Sequence, residues 1–331
     1  MEWELILRWT FLVSLLTAAI RLTIPVLIAV LGEIITECSG VMNLGLEGIM
    51  SIGGVTGFLT AFFLEKTAFG ASIGIGTSWM GLLAGLLSGA LMGGLMGLLC
   101  ITLKADQVIS GITLVVFGIG ISSYIYRQIF TTLSERTRGM PAIEIPLLSR
   151  IPVVGDILFK HDPTVYMTIM LVFAVWYLLY RTTWGRNIRA VGENPEAAET
   201  SGINVEGTRY VATIIGSALV GLAGAVLCVV QLNLFREGIV AGKGWIAVAL
   251  VIFARWREPK LALIGALLFG LADSVQYRIQ ALSQVRLGAE AFPYEFLLML
   301  PYILTILALL YRSKQVHRPL ALGKPYEKGE R

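Results

Sequence analysis

The sequence predicts an all-α fold: a polytopic transmembrane helical bundle of about nine to ten spans, with broken or re-entrant segments and one short capped helix in a polar loop. Three observations predict it. Of 331 residues, 56% are hydrophobic and 15% charged, against about 45–50% and about 25% in soluble domains. The apolar residues gather in nine stretches, several near the roughly 20 residues that a membrane span needs. Glycine is abundant, 36 residues, as membrane helices tolerate and use for close packing. Loops and a tail account for the rest, which leaves no room for a soluble catalytic domain of about 150 residues.

The elements follow in order. Met1-Glu2-Trp3-Glu4 lacks a basic n-region and cleavage site, so the apolar stretch 10–31 is expected to stay in the chain. Arg21 within it needs a partner, Glu33 or Glu37, or must snorkel. Residues 32–57, rich in Gly and interrupted by Glu33, Glu37, Asn43 and Glu47, read as a broken helix or two short helical pieces before and into the stretch 48–63. Broken helices at membrane depth are tolerated where protein or a wet cavity surrounds them. In 79–103, Gly81, Gly85, Gly89, Gly93 and Gly97 recur every four residues, a small-residue face that lets another helix approach closely. The stretch 108–126 and the long loop 127–163 follow, then 164–180. Ser217, Gly221 and Ala225 repeat the small-residue spacing in 208–231. The stretches 244–254, 261–279 and 295–311 complete the set. Residues 1–312 therefore form one transmembrane domain, and 313–331 a basic tail.

Charge sets the orientation. The turn 255–260 carries Arg255, Arg257 and Lys260, and the tail carries Arg312, Lys314, Arg318, Lys324, Lys328 and Arg331. Two spans separate these segments, so both lie on one side, which the positive-inside rule makes cytoplasmic. Counting back puts 181–209 and the turn at Lys104 on that side and 127–163 outside. Nine spans place the N-terminus outside; an extra crossing within 32–57 gives ten and a cytoplasmic N-terminus. The net charge of +4 is this bias rather than a nucleic-acid surface. Cys38, Cys100 and Cys228 form no CxxC pair, and His161 and His317 lack ligand spacing, so no metal site is expected. The halves are weakly alike: Asn43–Gly48 and Arg236–Gly244 each precede an apolar run and then a small-residue helix, the pattern of an internal repeat.

The most informative segment is 185–203. Asn194 suits an N-cap, Pro195 the first helical position, and Glu196 the positive helix end. Ala197 and Ala198 favour helix and Gly202 ends it. A helix over 194–201 is too short to stand alone and must dock on something.

The pattern Gly185-Arg186-Asn187, Ala190-Val191-Gly192-Glu193-Asn194, Ala197-Ala198 and Ser201-Gly202-Ile203 resembles the coupling segment of ABC importer permeases. The nearest group includes the ribose, branched-chain amino acid and nucleoside permeases, with the nucleoside type closest. Residues 32–48 look like that family's N-terminal hallmark, and 235–247 like a third landmark. Cys38 departs from the family, standing where many members carry Arg. The resemblance implies a short cytoplasmic coupling helix through which Gly185, Arg186, Asn187, Gly192, Glu193, Asn194, Pro195, Ala197, Ala198 and Gly202 meet an ATPase subunit. It implies a second, non-identical permease subunit, a substrate-binding lipoprotein, and residence in the bacterial cytoplasmic membrane. The cargo would be a nucleoside, purine nucleosides first, then a simple sugar or branched-chain amino acid. The chain lacks a GxxxxGK[ST] run, since Gly238 to Lys243 has the wrong spacing. It is thus expected to bind no cofactor and to be no enzyme, with ATP and magnesium held by the partner.

Cargo contacts are sought among polar residues in apolar spans: Asn43, Glu47, Gln231, Asn233, Asp273 and Gln276. Asn43 could instead cap the broken helix, Glu33, Glu37 and Glu47 could bond its free amides, and Asp273 could pair with Arg278. An ion-coupled secondary transporter is the rival reading, with Glu47 and Asp273 as ion site, but it has no use for a docking helix. An intramembrane enzyme would need paired Asp, a Ser/His pair or HExxH, and the sequence has none.

Overall fold

The computed structural model describes residues 9–130, 135–146, 148–286, 299, 303, 306 and 318–327. Its helices are α1 (Trp9–Cys38), α2 (Leu46–Glu65), α3 (Ala68–Ile73), α4 (Gly76–Gly97), α5 (Gln107–Ile129), α6 (Val154–Leu158), α7 (Pro163–Arg181), α8 (Thr183–Glu193), α9 (Pro195–Thr200), α10 (Val205–Ala225), α11 (Lys243–Phe253) and α12 (Pro259–Arg286). Short π-helical turns, Leu98–Thr102 and Val226–Gln231, extend α4 and α10. Among the described residues one strand pair, Ile143–Glu144 with Lys160–His161, lies in the long loop. Polar side chains start the helices where loops end: Asp106 accepts from Ile109 N (2.9 Å), Asp162 from Thr164 N (3.1 Å) and Asn204 from Gly207 N (2.9 Å), each satisfying an amide that lacks an intrahelical partner.

Among the described residues seven helices are long and apolar enough to cross a bilayer. They are seven of the nine apolar stretches. The expectation of nine to ten is corrected at two places. Residues 244–254 fall in α11, whose 11 residues reach about 16 Å, roughly half the hydrocarbon core. No extra crossing exists within 32–57: residues 32–38 complete α1, 46–57 belong to α2, and a buried non-helical link, 39–45, joins them. The expected span 295–311 lies, but for three positions, outside the described residues.

Packing follows the small residues. The glycine face of α4 meets the small-residue face of α10, inside the chain. A Cβ added at Gly85 would come within 2.4 Å of the Ala225 Cβ, and one at Gly89 within 2.4 Å of Ser217 O. Helix α1 runs antiparallel to α10: Gly32 abuts Gly216 O, Gly40 lies beside Arg209, and Arg21 O accepts a bond from Gln231. Helix α12 packs on α1 through Gly270 against Thr23 and through Ser274 Oγ, which donates to Leu15 O at 2.8 Å. Each half thus lends its small-residue helix, α4 or α12, to the long helix of the other, α10 or α1. This is the inverted arrangement that an internal repeat produces.

The loops sort to two ends. At one lie Cys38 to Val41, the Lys104 turn, α8 and α9, the 254–258 turn and residues 318–327. They are joined by contacts such as Gly323 N to Gly40 O (3.1 Å) and Lys104 Nζ to Glu327 (3.1 Å). At the other lie the start of α1, the 135–162 loop and the end of α10, joined by Thr17 Oγ1 to Asp156 O (3.3 Å) and Thr137 N to Asn233 O (3.0 Å). So α1 begins at the end opposite α8 and α9.

Candidate functional site

The segment 182–204 is built by local capping. Thr182 accepts from Gly185 N (3.0 Å) and starts α8; Asn194 accepts from Ala197 N (3.0 Å) and starts α9, with Pro195 first in the helix. Gly202, at φ +83°, turns the chain out of α9. Its amide donates to Glu199 O (2.8 Å) and that of Ile203 to Ala198 O (3.0 Å), closing the last carbonyls. The capped helix expected over 194–201 is present. Helix α8 was not foreseen. Gly185 and Gly192 weaken its propensity, but Trp184, Ile188 and Val191 at i, i+4 and i+7 were a usable signal.

The segment docks on its own chain through one face. Val191, Ala198 and Val205 form a small apolar cluster with Ile203 and Tyr326 at its edge. Gly192 lies so close to the end of α1 that a Cβ there would sit 2.0 Å from Cys38 O. Glu193 pairs with Arg257 in the α11–α12 turn, Tyr180 Oη donates to Arg257 O (2.5 Å), and Arg189 stacks 4.8 Å over the Tyr180 ring. The same turn is tied to α1: Trp256 Nε1 donates to Glu37, and Cys38 Sγ to Trp256 O (2.9 Å). Helix α8 is therefore held both to the end of α1 and to the α11–α12 turn. The other face of the segment, with Arg186, Asn194, Glu196 and Ala197, is exposed, and Asn187 is half-buried.

Residues 318–327 cross this site as a strap, which the sequence did not indicate. Ala321 N donates to Gly192 O (2.9 Å), Arg209 Nη1 to Lys324 O (3.1 Å) and Tyr326 Oη to Glu199. The bond to Glu199 pushes the Tyr326 phenol up to about 12, so it stays protonated and able to donate.

The two breaks meet inside the bundle. Three amides of the link 39–45 are met by side chains: Met42 N donates to Gln107 Oε1 (2.7 Å), Asn43 N to Glu33 (3.2 Å) and Gly45 N to Asn43 Oδ1 (3.0 Å). Asn43 Nδ2 donates to Ser217 Oγ (3.3 Å), midway along α10. From this depth α2 begins, and its Glu47 carboxylate accepts from Gly242 N and Gly244 N, both at 2.8 Å. Glu47 thus caps the half-length helix α11, where the helix dipole favours negative charge.

The candidate cargo residues fall in three places. Asn43 and Glu47 are buried at the junction of the breaks, and Asp273 is buried in α12 with the Lys243 charge facing it. Gln276 is buried one turn further along α12. Gln231 and Asn233 sit at the opposite end. Gln231 donates to Arg21 O, and the Asn233 amide, turned to satisfy both its groups, donates to Val229 O at 2.8 Å. Two expected pairings are corrected. Arg21 lies 3.8 Å from Asp162 rather than near Glu33 or Glu37, because the long loop folds back over the start of α1. Arg278 stacks over Phe11, not Asp273. All three cysteines are free and buried. Beyond the end of α10, Glu237 is bonded by Arg127, which holds its carboxyl below the usual range.

Residues 15–309 match the family described as "Branched-chain amino acid transport system / permease component". Among curated relatives, the putative glucose ABC transporter permease protein TsgC13 of Haloferax volcanii is 40% identical, covering 83% of this chain and 80% of its own. The guanosine ABC transporter permease protein NupQ of Bacillus subtilis is 36% identical over 93% and 94%, and the nucleoside ABC transporter permease protein NupC of Lactococcus lactis 33% over 92% and 94%. No solved structure matches the chain. With the family match running over nearly all of the sequence and seven membrane-crossing helices in the fold, the chain belongs to this permease family and is a multi-pass membrane transport component.

Proposed function

We propose that this chain is the membrane-spanning subunit of an ATP-driven importer for nucleosides, purine nucleosides first, that receives its cargo from an extracytoplasmic binding lipoprotein. The observation that carries the reading is the docked pair α8 and α9: one face is bound to both broken elements of the bundle and the other is open to a partner. The cargo reading is supported by relatives named for guanosine and nucleosides that align over more than nine tenths of the chain. A simple sugar is the second reading, favoured by the relative named for glucose.

In this mechanism the ATPase subunit, which holds ATP and magnesium, presses on the exposed face of α9. Glu193 passes the movement to Arg257 and the α11–α12 turn, and Gly192 passes it to the link 39–45. Both paths end at Glu47, where α2 and α11 are joined. A shift there changes which end of the pathway is open. A second, non-identical permease subunit completes the conduit, and the α8–α9 end faces the cytoplasm of a bacterial plasma membrane. Uptake of labelled guanosine and glucose by the assembled system tests the proposal. Guanosine uptake that stops on ATP depletion but survives an uncoupler is the expected result. Uptake that an uncoupler abolishes while ATP is held constant sinks it in favour of ion coupling.

A further inference from the structure

We propose that the strap 318–327 forms the second wall of the ATPase-docking surface, and that the cleft between it and α9 receives an acidic side chain of the ATP-binding subunit. This rests on the reading of α9 as the docking helix. The cleft measures about 680 Å³ and is walled by Asn194, Pro195 and Glu196 on one side and by Leu320, Lys324 and Pro325 on the other. It is continuous with the exposed face of α9. Leu320 is 69% exposed on a segment otherwise anchored by buried Ala321 and Leu322, a large apolar side chain held out beside the docking helix.

Arg209 decides the chemistry. It lines the cleft yet is only 2% exposed, and among the described residues its Nε and Nη2 have no hydrogen-bond partner; Nη1 alone is used, on Lys324 O. No described group satisfies two donors of this buried guanidinium, and no described carboxylate neutralises it, so its charge at the cleft wall suits an acidic partner. The other charges of the cleft agree. Glu193 is met by Arg257 and Glu327 by Lys104. Arg209 and the exposed Lys324 are the two cations of the cleft wall, and Glu196 is the lining carboxylate left without one of these pairings. The anchors have a second consequence. The strap is bonded to Gly192, Gly40 and Glu199, so a partner seated in the cleft grips the coupling segment and the first break together.

The test uses the assembled importer with a photo-crosslinking phenylalanine placed at Ala197 on α9 and, separately, at Leu320 on the strap. Adducts to the ATPase subunit from both positions support the proposal. An adduct from Ala197 without one from Leu320 overturns it and leaves the docking role of α9 standing; no adduct from either overturns both. A zero-length carbodiimide then reports the charge. An amide joining Lys324 to an Asp or Glu of the ATPase subunit is expected, and amides only to Glu196 or Glu327 of this chain overturn the acidic occupant. Arg209→Gln should lower retention of the ATPase subunit by about tenfold or more. Arg209→Lys, which keeps a positive charge at the cleft wall, should restore part of that retention; equal losses in the two variants would reduce Arg209 to a strap anchor.

Discussion

Replacing Gly89 and Gly94 by alanine, one at a time, subjects two positions of α4 to the same chemical change in opposite surroundings. At Gly89 the new Cβ would lie 2.4 Å from Ser217 O and 2.8 and 2.9 Å from the Gly221 backbone. An ordinary contact needs about 3.4 Å or more, so α4 and α10 must separate by about 1 Å at their closest crossing. Every atom in the way is backbone, and no side chain can turn aside. Overpacking of this kind costs typically about 1–3 kcal/mol, and a backbone-on-backbone clash belongs at the upper end. At Gly94 no described atom lies within 4 Å, which leaves only the gain in helix propensity, up to about 1 kcal/mol. That gain is common to both variants, so their difference isolates packing, about 3 kcal/mol in favour of Gly94→Ala. Thermal unfolding of the purified protein in detergent reads it as midpoints separated by about 4 °C. Coincident midpoints, or a lower one for Gly94→Ala, would refute the claim that the two small-residue faces meet within the chain.

Other outcomes follow from the same geometry. Glu47→Ala strands the amides of Gly242 and Gly244 at membrane depth, at about 1–3 kcal/mol each, so its unfolding midpoint should fall well below that of Glu47→Gln, which keeps an acceptor. On α9, Ala197 is exposed and Ala198 is 4% exposed. Ala197→Arg should therefore release the ATPase subunit in co-purification without lowering the permease's own midpoint, whereas Ala198→Arg should lower it by forcing a charge into the Val191–Val205 cluster. Cys38, Cys100 and Cys228 should resist a hydrophilic maleimide until the protein is unfolded, and rapid labelling of the native protein would show that the bundle is looser than described. The Glu237 carboxyl is held below its ordinary range by Arg127. Its contribution is complete above the ordinary carboxylate pKa and is lost only as pH falls through the lowered value. The effect of Arg127→Gln on protease cleavage near residue 237 should thus be the same at about pH 7 and about pH 5.

The parts legible in the sequence are those set by neighbours along the chain. A membrane span must satisfy its own backbone within one helix, so seven of the nine apolar stretches could be read directly. The cap of α9 is an i, i+3 bond from Asn194 to Ala197, and Gly202 acts on the turn before it; both are visible in a few letters. The glycine spacing of α4 announced a close approach, and α10 carries a matching spacing; only the fold decided that these two faces meet each other. Tertiary structure alone decided the rest, because those contacts join residues far apart in the chain. Apolarity cannot tell a half-length helix from a short span. What makes α11 a half-helix is a carboxylate at Glu47 meeting amides nearly two hundred residues later. Likewise the charge pattern marked 313–331 as basic, but only the fold could bring Ala321 to Gly192, Tyr326 to Glu199 and Lys324 to the guanidinium of Arg209. Those bonds turn part of a tail into a wall of the site.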